Sequence, residues 1–198
     1  MDYYAMEPPF ELRVFEEMTK KEAQQHFDWF VSQIPYRLSQ LKKLYIWSTE
    51  SNIDPLDLSP ESLVALWKWF IPRVEIEPKS PEQLSEELAN LPEWMHEIHS
   101  KNPSELTLAT QSLIIDIGIY YGEVFRKEYP EMEWGFVTKP KKIFYVNRPI
   151  VTLKETGFEY DPRHMVYIQS LKVLKNETKN EALLGLFNVE REYIGNLL

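Results

Sequence analysis

The chain has 198 residues, of which 43% are hydrophobic and 14% aromatic, and its formal net charge at pH 7 is −9. This length and composition exclude intrinsic disorder and predict one domain over residues 1–198 with a sizeable buried core. The absence of cysteine excludes disulfides, thiolate catalysis and cysteine-ligated metals. The acidic balance disfavours nucleic acid as a partner.

The N-terminal segment and the hydropathy of the chain predict a cytoplasmic protein. Residues 1–17 have neither the basic start nor the apolar stretch that signal peptides carry. The richest apolar run, Leu113 to Tyr121, contains Asp116 and is too short to cross a bilayer. We therefore expect no contact with a membrane.

The first half of the chain has the pattern of several helices that begin or end at prolines. Thr19 to Glu22 matches a capping box, and the apolar residues after it keep helical spacing as far as Ile34. Pro35 then either kinks this helix or starts the next one. Residues 72–103 hold five prolines and many glutamates, which predicts short surface helices rather than core. Helix starts are predicted at Ser59-Pro60-Glu61, Ser80-Pro81-Glu82 and Pro92.

A long helix near residues 105–129 is the most informative predicted element. Its apolar residues cover much of the circumference, which is typical of a central helix. Gly118 and Gly122 lie one turn apart on one side, although each glycine costs about 1 kcal/mol relative to alanine in a helix. We expect another backbone or a ligand to come close there, and close packing of a strand or helix is the favoured reading.

The hydropathy pattern changes from helical to alternating after Pro130. Three short strands are predicted at 134–138, 142–146 and 149–153, and their brief links indicate an antiparallel sheet. Asp161-Pro162 predicts another helix start, and residues 181–198 a last helix broken near Gly185. A helical part at 1–130, followed by a small sheet and C-terminal helices at 131–198, gives an α+β fold.

The candidate catalytic residues are Glu123, Asp116 and Tyr120, all on the long helix. Glu123 is a possible general acid or base in a pocket against the sheet, as in a small hydrolase, with Asp116 or Tyr120 beside it. The alternative is structural, with Glu123 paired to Arg126 or to strand backbone. The structural alternative is favoured, because no His, Ser or Lys is fixed beside Glu123 by spacing.

Neither a metal nor a cofactor is predicted. Glu93 and His96 have the Glu-x-x-His spacing of di-iron helices, but the second such motif that a di-iron site needs is missing. A Gly-rich phosphate loop, a Walker motif and a Gly-x-Ser-x-Gly elbow are missing as well. The basic residues between Lys139 and Arg148 are expected to protect strand edges rather than to hold nucleic acid.

The negative charge of the chain is concentrated between residues 51 and 100. This stretch holds ten acidic and three basic side chains, a balance of −7, whereas all other residues together balance to −2. Such a surface attracts a basic protein partner, although acidic charge also serves solubility alone. The candidate binding residues are Glu82, Glu86, Glu87 and Glu93.

The stretch Asp116 to Phe125 contains the pattern Gly-x-Tyr-x-Gly-Glu, and Trp134-Gly135 and Asn147-Arg148-Pro149 follow it. Together with the front segment Phe15 to Ala23, it resembles a group of Bacillus-type bacterial proteins of no assigned activity. Some of those proteins resemble immunity proteins encoded beside secreted toxins. The resemblance implies a helix followed by a Trp-led sheet and brings no catalytic residues.

Three functions are therefore open. The favoured one is a non-catalytic interaction module, of immunity type, that presents the acidic 51–100 region to a basic protein. The others are an enzyme that uses Glu123 and a structural module with no separable site. The oligomeric state is not predicted.

Overall fold

The described chain is built from helices and two small antiparallel sheets, which confirms the predicted α+β fold. The computed structural model describes residues 5–50, 54–92, 96, 100 and 103–198. Within these residues there are six α-helices: α1 Lys20–Thr49, α2 Ser62–Phe70, α3 Pro81–Ala89, α4 Leu108–Glu128, α5 Pro162–Leu174 and α6 Ala182–Gly195. The strands are β1 Ile76–Pro78, β2 Ser104–Leu106, β3 Glu133–Gly135, β4 Ile150–Leu153 and β5 Phe158–Tyr160.

The first helix begins at the predicted capping box and continues through Pro35. The Glu22 N–H donates to Thr19 Oγ1 at 3.3 Å, and the Thr19 N–H donates to Glu22 Oε2 at 2.8 Å. Pro35 neither ends the helix nor starts a second one, and α1 continues for about four more turns, to Thr49. Pro35 and Val31 are exposed, so water can replace the hydrogen bond that proline cannot make to the Val31 carbonyl.

The predicted long helix is α4, and it lies at the centre of the core. Ile117, Tyr120, Tyr121 and Phe125 are fully buried. The helix begins at Leu108 rather than near 105, because Thr107 caps it and the preceding residues form strand β2. The core extends from α1 to α6, since buried side chains of both helices belong to the same cluster.

The two glycines of α4 are the places where α5 and the second sheet come close. A Cβ on Gly118 would lie 2.6 Å from the Cα of Arg163, in the first turn of α5. A Cβ on Gly122 would overlap the indole ring of Trp134 in β3. The predicted close packing at these glycines is therefore confirmed, and it involves both a helix and a strand.

The second sheet has three antiparallel strands, as predicted, but one of them is a different segment. The order is β3-β4-β5, with Trp134 opposite Val151 and Val151 opposite Tyr160. The predicted strand at 142–146 is wrong. Its backbone closes local turns instead, such as the Val146 N–H to the Ile143 carbonyl at 3.2 Å. The third strand is β5, which follows the turn at Gly157, whose φ is +73°.

The first sheet and α3 occupy the region that was predicted to form only short surface helices. Strand β1 pairs with β2, with Ile76 opposite Leu106, so two extended segments were missed. The helix start at Ser80 is confirmed, because Ser80 and Gln83 form a capping box. The predicted helix after Pro92 lies outside the described residues.

Asp161 and the last helix complete the C-terminal part. The carboxylate of Asp161 accepts from the backbone N–H groups of Arg163 and His164, both at 3.1 Å, which confirms the predicted cap of α5. Helix α6 continues through Gly185 without a break, contrary to expectation. One glycine in a helix interior is tolerated at modest cost.

The N-terminal segment is held on α1 by the loop that replaced the predicted strand. Asn147, at φ +60°, donates from Nδ2 to the Phe15 carbonyl at 2.6 Å. Lys141 Nζ donates to the Met18 carbonyl at 3.0 Å. Phe15 in turn covers His26, with ring centroids 5.0 Å apart. Burial, together with the nearby Arg163 guanidinium, lowers the pKa of His26 from 6.5 to about 4.

Replacement of Gly118 by alanine should destabilise the protein, whereas the same change at Gly185 should stabilise it. The methyl group at 118 overlaps the backbone of α5, and such overpacking costs about 1–3 kcal/mol. No atom lies within 4 Å of a Cβ at Gly185, so Gly185→Ala should add about 0.5–1 kcal/mol through helix propensity. Urea unfolding of both variants measures the difference, and equal effects would contradict the packing at Gly118.

The neutral His26 should make the folded state sensitive to acid. Its pKa is lower in the fold than in the unfolded chain, so the unfolded chain binds the extra proton as pH falls from about 6.5 to about 4. The free energy of unfolding should fall across this window. Below the window, the destabilisation caused by His26 should stay constant. In His26→Phe, which keeps a ring there, the loss on moving from pH 7 to about pH 4.5 should be smaller, as followed by urea unfolding. An identical pH dependence in both proteins would contradict this assignment.

Candidate functional site

Asp116 is buried in the core and is bound to a residue of α1. It is fully buried, and Arg37 holds both of its oxygens, with Nε–Oδ1 at 2.7 Å and Nη2–Oδ2 at 2.6 Å. Arg37 itself is 4% exposed. This two-point pair ties α4 to α1 and gives Asp116 a structural role.

Tyr120 is also part of the core. Its hydroxyl accepts from the Leu58 N–H at 2.8 Å and shares a hydrogen bond with Ser62 Oγ at 2.6 Å. Burial raises the pKa of Tyr120 to about 12, so the hydroxyl stays protonated. The side chain therefore anchors the segment before α2.

Glu123 lies closer to the surface and accepts two hydrogen bonds. Trp134 Nε1 donates at 2.7 Å and Arg126 Nη1 at 2.8 Å, both to Oε1. The pairing with Arg126 that the spacing predicted is confirmed, and the second donor is a strand side chain. The glutamate side chain is 15% exposed.

The three candidate catalytic residues are not brought together. Asp116 contacts α1, Tyr120 contacts the segment before α2, and Glu123 contacts β3. None of them is among the residues that line the principal surface cavities of the described chain. The geometry therefore offers no shared pocket in which they would meet a substrate.

The acidic candidates lie on α3 and face a shallow groove. Glu86 and Glu87 line this groove of about 340 Å³, and Glu82 is exposed in the first turn of the helix. Glu105 of β2 lies on the opposite side and accepts from Gln83 Nε2 at 2.8 Å, while Lys79 pairs with Glu87. We call Glu82, Glu86, Glu87 and Glu105 the acidic surface. Glu93 lies outside the described residues.

A second groove, of about 740 Å³, continues from the acidic surface and is mainly apolar. Lys79 and Glu105 line both grooves, which makes them neighbours. We call this second depression the apolar groove; its apolar lining is Ile76, Leu106, Ile114, Ile115, Tyr167, Leu171 and Leu174. The sequence analysis missed it, because periodicity marks Leu171 and Leu174 as apolar without showing that they stay partly uncovered.

Other kinds of site find no support in the described part of the chain. Its side chains include no group of three His, Cys, Asp or Glu that could hold a metal ion. No helix among these residues is long and apolar enough to span a bilayer. No family model matches the chain, and neither a curated protein nor a solved structure matches it. The resemblance to Bacillus-type proteins stays a prediction.

The buried pair of Arg37 and Asp116 gives a direct test of the structural role. Asp116→Ala leaves the guanidinium buried without its carboxylate, and we expect a loss of about 3–5 kcal/mol in unfolding free energy. The double variant Arg37→Met/Asp116→Leu removes both charges and should lose less than the single variant. Urea unfolding measures both. A single variant that is as stable as the parent protein would contradict the assignment.

Proposed function

We propose that the protein is a non-catalytic interaction module that binds a basic protein partner through its acidic surface. The observation that carries this proposal is the position of α3. The helix places Glu86 and Glu87 with Glu105 around a groove that adjoins the apolar groove, and it exposes Glu82 in its first turn. Charged residues around an apolar centre are the usual arrangement of a protein interface.

Helix α3 contributes nothing to the core. None of its nine residues is buried. A helix normally gains most of its stability from burying an apolar face, so a helix of this length with no buried residue needs other support. Here the support is polar: the Ser80 capping box, the Gln83–Glu105 hydrogen bond and the Lys79–Glu87 ion pair. The helix is thus held in place while its carboxylates stay on the outside.

The charges of the acidic surface fit a cationic partner. Hydrogen bonds to backbone N–H and to Ser80 keep the pKa of Glu82 below its usual value, so this side chain is ionised at neutral pH. Lys79 offsets part of the negative charge, but four carboxylates outnumber it. Charge of one sign at a groove raises the association rate of an oppositely charged protein and sets its orientation.

The immunity-type role follows from the resemblance of the sequence. Immunity proteins bind a toxin inside the producing cell, and an acidic surface suits a toxin that is basic. On this proposal the chain acts in a bacterial cytoplasm and neutralises its partner by covering it. The separate structural contacts of Asp116, Tyr120 and Glu123 favour this role over hydrolysis.

Reversal of three charges on α3 should weaken binding of the partner. We compare the parent protein with Glu82→Lys/Glu86→Lys/Glu87→Lys as bait in quantitative affinity capture from the native cell, followed by binding measurements with the purified partner. The affinity should fall at least about tenfold, roughly 1.4 kcal/mol or more. Added salt should weaken the parent complex, since the attraction is electrostatic.

A matched control separates the effect of the acidic surface on binding from the effect of the net charge of the protein. The variant Glu131→Lys/Glu155→Lys/Glu192→Lys reverses three exposed acids elsewhere and changes the net charge equally. It should keep the partner that the parent protein captures. If no basic protein is captured, or if both triple variants bind as well as the parent, the proposal is wrong.

A further inference from the structure

The apolar groove has one wall from α5, a floor from α4 and a second wall from the first sheet. Tyr167, Leu171 and Leu174 line it from α5, and Ile114 and Ile115 line it from α4. Three of its apolar side chains keep much of their surface in water: Ile76 is 50% exposed, Tyr167 42% and Leu174 39%. Several partly exposed apolar side chains gathered in one depression make it the candidate contact site on this surface.

The spacing of the α5 residues fits a helix in the groove. Tyr167, Leu171 and Leu174 lie at i, i+4 and i+7, which is the stripe that packs against a neighbouring helix. They extend along about 10 Å of the helix axis, or two turns. An occupying helix would therefore present apolar residues over two of its own turns, the arrangement of helix-in-groove recognition.

An added β-strand fits less well at the same place. Strand β2 has only three residues, and the carbonyl of Leu106 already accepts from Gln111 Nε2 at 2.7 Å. On β1, Pro78 has no N–H to donate. The first sheet thus offers few backbone groups for an incoming strand.

The charges at the two ends of the groove differ. Glu105 and Lys79 lie at the end next to α3, where Lys79 pairs with Glu87 and the carboxylates of the acidic surface remain in excess, and Lys175 lies beyond Leu174. A helix with Lys or Arg at one end of its apolar face would place those cations on the acidic surface. Charge complementarity therefore selects a basic amphipathic helix over an acidic one.

We infer that the apolar groove binds an amphipathic helical segment of the partner, with its apolar face on Tyr167, Leu171 and Leu174 and its basic residues on the acidic surface. This inference rests on the proposed function and adds the kind of segment that is recognised. The groove supplies the apolar contact and the acidic surface sets the direction of the bound helix.

The test uses two labelled peptides of the same composition. One is a Leu/Lys peptide of about 14 residues, roughly four turns, with leucines at helical spacing, and the other is a scrambled version without that spacing. Fluorescence anisotropy measures their affinity for the full chain, and circular dichroism measures helix formation on binding. The amphipathic peptide should bind at least about tenfold more tightly and become helical.

Paired variants identify the groove without changing charge. Tyr167→Gln/Leu174→Gln removes two partly exposed apolar side chains of the groove. It should lower the affinity for the amphipathic peptide at least about tenfold. Val189→Gln/Tyr193→Gln makes a comparable change on the exposed face of α6, where these residues are 62% and 53% exposed, and should leave the affinity unchanged. Circular dichroism of all variants checks that they are folded.

The outcomes separate this inference from the proposed function. If both peptides bind equally tightly, and charge reversal of α3 removes the binding of both, the acidic surface binds cations without regard to helical spacing. The groove inference is then wrong. If binding depends on Tyr167 and Leu174 but not on the α3 glutamates, the proposed function is wrong. Absence of peptide binding, binding without helix formation, or a concentration-dependent dimer that Tyr167→Gln/Leu174→Gln disrupts would overturn the helix inference.

Discussion

The close approach of α4 to α5 and β3 at Gly118 and Gly122 determines how the rest of the molecule is arranged. With no side chain at either position, the first turn of α5 lies against the middle of α4, and the indole of Trp134 covers the next turn. This contact aligns α5 beside α4, and side chains farther along both helices line the apolar groove. The position of the groove is thus a consequence of two glycines that lie one to two turns away from it.

Several polar side chains inside this core form pairs that connect elements distant in sequence. Arg37 and Asp116 join α1 to α4, and Tyr120 joins α4 to the start of α2. Arg163 lies over the ring of Phe30, 4.7 Å from its centroid, and donates to the Pro149 carbonyl at 3.1 Å. An unpaired charge in such surroundings would be costly, so these pairs specify which surfaces of the helices meet.

The sequence predicted interactions between residues close together in the chain, and it did not predict contacts between separate elements. The caps at Thr19, Ser80 and Asp161 depend on residues three positions away at most, so their side chains identify the helix starts. The alternation at 142–146 predicted a strand, but the same alternation occurs where Val146 points inwards from a chain of turns. The Arg37 partner of Asp116, the Trp134 partner of Glu123 and the lining of the apolar groove come from separate elements, and no spacing reveals them.

The acids of this chain fall into two groups with different surroundings, and the difference bears on function. Asp116, Asp161 and Glu123 are each matched by donors that fix their position, as structural carboxylates require. The glutamates of α3 belong to a helix that buries none of its residues, so core packing does not explain why they are held there. What holds α3 is polar contact with β2, the strand that also lines the apolar groove. On the proposed function, the partner would cover both this surface helix and the apolar groove beside it.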